Sequence, residues 1–145
     1  MNKLSITRAD LQTMIDHCMA GYPDEACGIL AGKDGRVSRV YCMKNARPGP
    51  VSYETDPEEQ FRVMKDIRRD GYDMVGIFHS HPSGPAYPSN VDVDKAYWPG
   101  TFLPNYPDAV HVIVSLLERE VPQVRGFSIV DGTVEEVPLA VSEGL

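Results

Sequence analysis

Two histidines, a serine and an aspartate fall within one fourteen-residue stretch, HSHPSGPAYPSNVD, which runs from His79 to Asp92. On a strand, alternate side chains point to the same face, so His79 and His81 face one point while Ser80 faces away. Asp92 follows a Pro/Gly loop that reverses the chain, and it can supply a third ligand from another direction. This donor set predicts an open zinc site that keeps a fourth position for water.

A zinc ion bound in this way lowers the pKa of its water from about 15.7 toward about 7, so hydroxide exists at neutral pH. The water still needs a base that takes its proton and later gives it to a leaving amine. Glu25, which directly precedes the apolar run ACGILAG, is the candidate for that base. Together these residues provide the parts of a zinc hydrolase.

Each of these residues also has an explanation without a metal. A His-x-His pair on a strand is often packed in a core or solvated. Ser89 followed by Asp92 fits a helix N-cap with an acid at the third helical position. Glu25 alone would be assigned as a surface acid. The metal interpretation therefore depends on all of these residues occurring together.

The remaining sequence predicts helices and strands that interleave and that would position these side chains. Apolar periodicity and Gly/Pro punctuation mark the elements, and residues 45–56 form a surface loop. The early elements alternate between helix and strand, while the late strands are joined by hairpins. The predicted fold class is therefore α/β, a mixed β-sheet flanked by helices. Helices are predicted over 8–20, 57–70 and 89–97, and strands over 26–31, 37–43, 74–81, 110–117, 124–130 and 133–137.

Composition limits the size and the partners of the protein. The 145 residues, 42% of them hydrophobic, predict one globular domain over residues 1–145. With 14 basic and 21 acidic side chains the net charge is −7, which opposes binding to nucleic acid. The most apolar stretch, Ala109 to Leu117, is far shorter than the roughly 20 residues that span a bilayer.

The N-terminus and the cysteines predict a cytoplasmic location. The first ten residues, MNKLSITRAD, contain no apolar signal core. The cysteines are odd in number and have no CxxC spacing, which favours reduced thiols over a disulfide framework or a thiolate zinc site. They are Cys18, Cys27 and Cys42.

The motif resembles the signature of the JAMM (MPN-plus) zinc metallopeptidases, in which His-x-His is followed by seven residues, Ser, two residues and Asp. The family's upstream acid lies in a segment similar to DEACGILAG at residues 24–32, which carries the catalytic glutamate onto Glu25. The segments YETDPEEQF, AYWPG, HVIVSL and FSIVDG are similar to short bacterial members, so the resemblance covers most of the chain. The signature matches without gaps at His79, His81, Ser89 and Asp92.

The resemblance implies a fold and a role for each residue. The fold would be that of MPN/JAMM domains, a three-layer arrangement like that of cytidine deaminases. One Zn²⁺ per chain would be bound by His79, His81 and Asp92. Glu25 would activate the water and protonate the leaving amine, and Ser89 would steady the tetrahedral oxyanion.

The resemblance also implies a substrate class. The family cuts amide bonds after the C-terminal Gly-Gly tail of ubiquitin or ubiquitin-like proteins, and its short bacterial members resemble enzymes that act on sulfur-carrier proteins. Eukaryotic members grip ubiquitin with two insertions, and the matching segments, 45–56 and 99–108, are short here. This favours a small ubiquitin-like carrier over polyubiquitin.

The sequence leaves three questions open: the identity of the carrier, the leaving group (cysteine, lysine or a peptide) and the oligomeric state. It also leaves two alternatives to a carrier peptidase. One is a noncatalytic MPN scaffold, which usually lacks one or more ligands. The other is a zinc hydrolase or deaminase of another kind, against which the sequence offers neither HExxH nor H-x-E with PCxxC.

Overall fold

The computed structural model describes residues 3–101 and 103–143, in which helices and strands alternate before a run of hairpin-linked strands. Among the described residues the elements are β1 (Leu4–Thr7), α1 (Arg8–Gly21), β2 (Cys27–Lys33), β3 (Arg36–Met43), α2 (Pro57–Arg69), β4 (Asp73–His81), α3 (Asn90–Lys95), β5 (Val110–Ser115), β6 (Gln123–Val130), β7 (Thr133–Val137) and β8 (Leu139–Ser142).

The strands form a mixed sheet whose order, within the described ranges, is β7-β6-β5-β4-β2-β3-β1-β8. β4 and β5 run parallel, and β1 runs parallel to both of its neighbours. The other neighbouring strands are antiparallel. The predicted α/β class with a mixed sheet is therefore confirmed.

Helices cover both faces of this sheet. On one face, Met14 of α1 packs in the same cluster as Phe78 of β4. On the other face, Ile67 of α2 packs with Ile77, the neighbour of Phe78 in β4. Because adjacent strand residues point to opposite faces, α1 and α2 lie on opposite sides of the sheet. The three-layer arrangement implied by the family resemblance is confirmed.

Local capping and turn residues explain why most elements begin and end where the sequence predicts. Thr7 is the N-cap of α1, and Asp56 is the N-cap of α2, with Pro in the first turn. The turns 34–35 and 131–132 each pair Asp with Gly at positive φ, the conformation that a two-residue hairpin loop requires. They join β2 to β3 and β6 to β7.

The structure differs from the sequence prediction at the sheet edge and in α3. The short strands β1 and β8 were not predicted. They pair with each other in parallel although the paired residues are 135 positions apart in the chain. The predicted helix 89–97 is shorter, Asn90–Lys95, because Tyr97 leaves it to form an isolated bridge with Pro104. β5 ends at Ser115, two residues before the predicted end.

The cysteines are free thiols, as predicted. Cys18 and Cys27 are buried, and burial raises the pKa of each thiol to about 12, which keeps both protonated and unreactive. Across the described residues, each helix is too short or too polar to cross a membrane. The cytoplasmic location stays a prediction.

Candidate active site

His79 and His81 lie at the C-terminal end of β4 and point to the same side of the sheet. Their Nε2 atoms are 3.1 Å apart, and both residues are buried. Ser80 faces the opposite side, where its hydroxyl accepts a hydrogen bond from the Ala26 amide at 2.8 Å. The strand alternation predicted for this pair is thus the one observed.

Asp92 reaches the two imidazoles from the first turn of α3. Its Oδ2 atom is 2.9 Å from His81 Nε2 and 3.1 Å from His79 Nε2. The same oxygen accepts a hydrogen bond from the Ser89 amide at 2.9 Å, while the Ser89 hydroxyl accepts one from the Asp92 amide at 3.1 Å. The capping arrangement and the convergence on the histidines therefore occur together in one residue.

The geometry of these three side chains fits a tetrahedral metal. Zinc bonds of about 2.0–2.1 Å place neighbouring ligand atoms about 3.3 Å apart, close to the separations of 2.9–3.1 Å here. His81 Nδ1 lies 2.8 Å from the Pro85 carbonyl oxygen, which keeps the ring proton on Nδ1 and leaves the Nε2 lone pair facing the other ligands. Among the described residues, His79, His81 and Asp92 are the side chains whose metal-ligating atoms converge on one point.

The charges at this point also favour a cation. Burial alone would raise the pKa of Asp92, but hydrogen bonds from His79, His81 and the Ser89 amide outweigh it and hold that pKa below its ordinary range. Burial opposes a charge on His81 as well, yet its hydrogen bond to Asp92 raises its pKa. Asp92 therefore stays ionised beside the two imidazoles, and its negative charge favours a cation at this point.

Glu25 lies beside the histidines because β2 pairs with β4. Cys27 is opposite His79, and the pairing continues with a hydrogen bond of 3.0 Å from the Ser80 amide to the Ala26 carbonyl. Glu25 is only 4% exposed, and its Oε1 atom has no hydrogen-bond partner among the described residues. The prediction that a lone Glu25 would be a surface acid does not hold.

Glu25, His81 and Ser89 line one cleft of about 350 Å³. Burial raises the pKa of Glu25 to about 7, and the negative charge of Asp92 adds to the rise, while His81 and Lys95 oppose it. A carboxyl group with this pKa can take up and release a proton near neutral pH. The side chains proposed as base, ligand and oxyanion donor therefore face a common space.

Tyr53 is a neighbour of the site that the sequence analysis did not select. Its ring stacks on His79 with centroids 5.0 Å apart and an interplanar angle of 27°. Lys95 of α3 donates a hydrogen bond of 2.7 Å to the Tyr53 carbonyl. No spacing rule marks such a contact, although Tyr53 begins the segment YETDPEEQF that carries part of the family resemblance.

Three other residues whose side chains could take part in chemistry or binding lie outside the site. His111 of β5 is buried, and burial lowers its pKa to about 4, so its ring is neutral. His17 lies in α1 with Nε2 3.0 Å from the Cys27 carbonyl oxygen, a structural contact. Trp98 follows α3 and is largely exposed.

Comparison with protein families assigns the chain. Residues 7–129, which include every residue of the candidate site, match the family described as prokaryotic homologs of the JAB domain. The chain belongs to this family. The resemblance to short bacterial JAMM proteins is thereby confirmed.

Individual relatives are similar to this chain over two thirds of its length or more. The CysO-cysteine peptidase of Mycobacterium tuberculosis is 39% identical over 141 residues, covering 95% of this chain and 91% of the relative. The desampylase of Haloferax volcanii is 37% identical over 106 residues, covering 68% and 76%. A Desulfitobacterium hafniense protein of known solution structure has a TM-score of 0.84 and 35% identity, covering 98% and 94%.

Proposed function

We propose that this chain, a JAMM-type hydrolase, is a zinc-dependent peptidase or isopeptidase that cleaves the amide bond after the Gly-Gly tail of a ubiquitin-like protein. The favoured substrate is a sulfur-carrier protein. One geometric fact supports the proposal most, the convergence of His79, His81 and Asp92 beside the buried Glu25, whose Oε1 atom has no hydrogen-bond partner among the described residues. Relatives named CysO-cysteine peptidase and desampylase support the substrate class.

The proposed ligands are His79 Nε2, His81 Nε2 and Asp92 Oδ2, and they hold one Zn²⁺ per chain. The ion, when bound, supplies a Lewis acid that polarises the scissile carbonyl and acidifies a water. His₂Asp is a donor set of catalytic type, since it leaves room for a further ligand. The Pro85 carbonyl keeps the His81 ring in the tautomer that this role needs.

Glu25 is the proposed general base and general acid. Its unpartnered Oε1 accepts a proton from the attacking water as the water oxygen bonds to the carbonyl carbon. The C–N bond then breaks, and Glu25 gives the same proton to the departing amine. A pKa of about 7 suits both transfers, because neither protonation state is strongly favoured at neutral pH.

Ser89 is the proposed donor to the oxyanion. Its hydroxyl oxygen accepts the Asp92 amide proton, and among the described residues nothing accepts the proton of the hydroxyl itself. The side chain borders the same cleft as Glu25. A donor held in this way stabilises developing negative charge more than the planar ground state, and losing one such donor costs about 10²-fold or more in rate.

The cleft is large enough for an extended peptide segment. Prolines and Val51 surround its opening, and its volume is about 350 Å³. A Gly-Gly segment can extend through such a space and bring its carbonyl between Glu25 and Ser89.

We propose a cytoplasmic setting, in keeping with the free thiols.

Comparing the wild type with Glu25→Gln tests the function. Both proteins are analysed for bound zinc and then mixed with a ubiquitin-like carrier that bears cysteine on its C-terminal Gly-Gly, and intact mass reports the loss of the adduct. We expect stoichiometric zinc in both proteins and adduct loss in the wild type alone. Glu54→Gln, at an exposed glutamate, is the matched control and retains activity.

Two results would contradict the proposal. Zinc binding without cleavage of any carrier adduct would indicate a hydrolase of another small amide. Failure to bind zinc at micromolar concentration would indicate a noncatalytic scaffold.

A further inference from the structure

The backbone of Glu25 is held on both sides by the loop of residues 45–55. The Glu25 amide donates a hydrogen bond of 2.8 Å to the Gly49 carbonyl. The Glu25 carbonyl accepts one of 2.9 Å from Asn45 Nδ2. Glu25 directly precedes β2, so the loop holds its peptide groups just beyond the strand pairing that brings this end of β2 to β4.

Asn45 is the side chain that joins the two arms of this loop. Its Oδ1 atom accepts hydrogen bonds from the Arg47 amide at 3.0 Å and the Glu54 amide at 3.1 Å. An isolated bridge also pairs Asn45 with Thr55. Two N–H donors on one side and a carbonyl on the other allow one orientation of the amide, with Nδ2 directed at Glu25.

The same loop contacts one of the proposed ligands, His79, through Tyr53. That ring stacks on His79, and its carbonyl is held by Lys95 from α3. The loop therefore has one fixed contact on a proposed ligand and one on the proposed base. Its conformation therefore contributes, together with the pairing of β2 and β4, to the distance between them.

We propose that Asn45 is a positioning residue that holds the carboxyl of Glu25 at the correct place relative to His79, His81 and Asp92. This inference rests on the proposed function, because it assigns Glu25 as the base. Asn45 bonds the peptide group of Glu25 and does not touch the reacting atoms. A displacement of about 1 Å in a catalytic group can cost about 10²-fold in rate, so loss of this one bond has a measurable effect.

Asn45→Asp is the decisive variant. Its Oδ1 keeps the two amide donors and hence the loop, while the second oxygen replaces the donor to the Glu25 carbonyl. We expect kcat to fall about 10- to 100-fold, with KM changed less than about threefold and zinc content unchanged. A residue that only stabilised the fold would not produce this split between kcat and KM.

Asn105→Asp is the matched control. Asn105 also donates its Nδ2 proton to a backbone carbonyl, that of Lys95, at 2.6 Å, but it makes no bond to Glu25. We expect its kcat to remain within about threefold of the wild type. An equal loss of kcat in both variants would overturn the inference.

Crystal structures of the zinc-loaded wild type and Asn45→Asp give a readout that does not depend on activity. We expect the Glu25 carboxyl to move by about 1 Å while the three ligands stay in place. The inference is overturned if Glu25 is unmoved, if kcat is that of the wild type, or if the variant loses zinc. A wild type that cleaves no carrier adduct refutes the proposed function instead, and the two structures still decide the role of Asn45.

Discussion

At the scale of single residues, one carboxylate serves both a helix cap and the candidate metal site. The sequence presents the pairing of Ser89 with Asp92 either as a helix cap or as part of a metal site. In the structure Asp92 Oδ2 accepts the Ser89 amide and also meets both histidines. A carboxylate oxygen has two lone pairs, so the two interactions are compatible. The cap holds the carboxylate where the ligands converge.

The raised pKa of Glu25 predicts how stability depends on pH in the zinc-free protein. Its pKa lies near 4.5 when unfolded and at about 7 when folded, so the folded state binds the proton more tightly between those values. The free energy of unfolding therefore falls as pH rises from about 4.5 to 7 and stays lowered above that. Glu25→Gln cannot ionise. Its free energy of unfolding should exceed that of the wild type by about 2 kcal/mol at pH 8, which is less than the full effect of the pKa shift because water screens the cleft.

Urea denaturation of both zinc-free proteins at pH 4, 6 and 8 measures this difference. The difference should be near zero at pH 4 and grow with pH. Glu54→Gln, at an exposed position, should change the unfolding free energy by less than about 0.5 kcal/mol at each pH. A difference between Glu25→Gln and the wild type that stays constant with pH would contradict the prediction.

At the scale of elements, close packing of β2 against β4 brings Glu25 to the histidines. Gly28, which follows Cys27 in β2, allows this approach. A Cβ atom at Gly28 would overlap the ring of Phe78 in β4 and the carbonyl oxygen of Tyr41 in β3. One of these obstacles is backbone, which cannot move aside without shifting a strand.

Gly28→Ala should therefore lower both stability and activity. We expect the free energy of unfolding to fall by about 1–3 kcal/mol, and kcat to fall as β2 shifts against β4. Thermal unfolding and carrier cleavage measure the two effects. Gly49→Ala is the control, since its added Cβ makes only an ordinary contact, 3.9 Å from the Ser52 carbonyl oxygen, and its carbonyl bond to Glu25 is retained. Equal behaviour of the two variants would refute the explanation.

At the scale of the whole molecule, the candidate site joins separate parts of the fold. The histidines lie on β4, whereas Asp92 lies on α3, which packs on the sheet through Val93 and its C-cap residue Ala96. A metal ion held by all three would link the helix to the central strand. An ion that binds the folded state alone stabilises that state in proportion to the logarithm of its concentration.

Zinc should therefore raise the melting temperature of the protein. A free zinc concentration of 100 times the dissociation constant adds about 2.7 kcal/mol to the free energy of unfolding. This corresponds to a rise in melting temperature of about 5–10 °C for a chain of this size. The rise should be smaller at pH 5 than at pH 7.5, because protons compete for the histidines and the aspartate. Differential scanning fluorimetry with zinc and after chelation measures it.

Two variants separate the ligands from the base in that experiment. His79→Ala should abolish the zinc-dependent rise, whereas Glu25→Gln should retain it because Glu25 is not a proposed ligand. A full rise in His79→Ala would exclude the assigned ligand set.

Local chemistry explains what was predictable from the sequence. Thr7 and Asp56 cap their helices through neighbours two or three residues away, and the Asp-Gly turns set their own hairpins. Strand alternation alone directs His79 and His81 to one side. The contact of Asp92 with them spans a short loop, so the motif contained the proposed ligand set. The family resemblance added the oxyanion role of Ser89 and supported Glu25, already selected, as the base.

The sequence by itself thus determined the fold class, most elements and the candidate residues, because these depend on interactions between near neighbours in the chain. Only the tertiary structure decided that Glu25 is buried, that Asn45 bonds its carbonyl and that Tyr53 stacks on His79. The pairing of β1 with β8 was decided in the same way. These contacts join residues 20 to more than 130 positions apart, and packing of the whole sheet selects them, which no local pattern encodes.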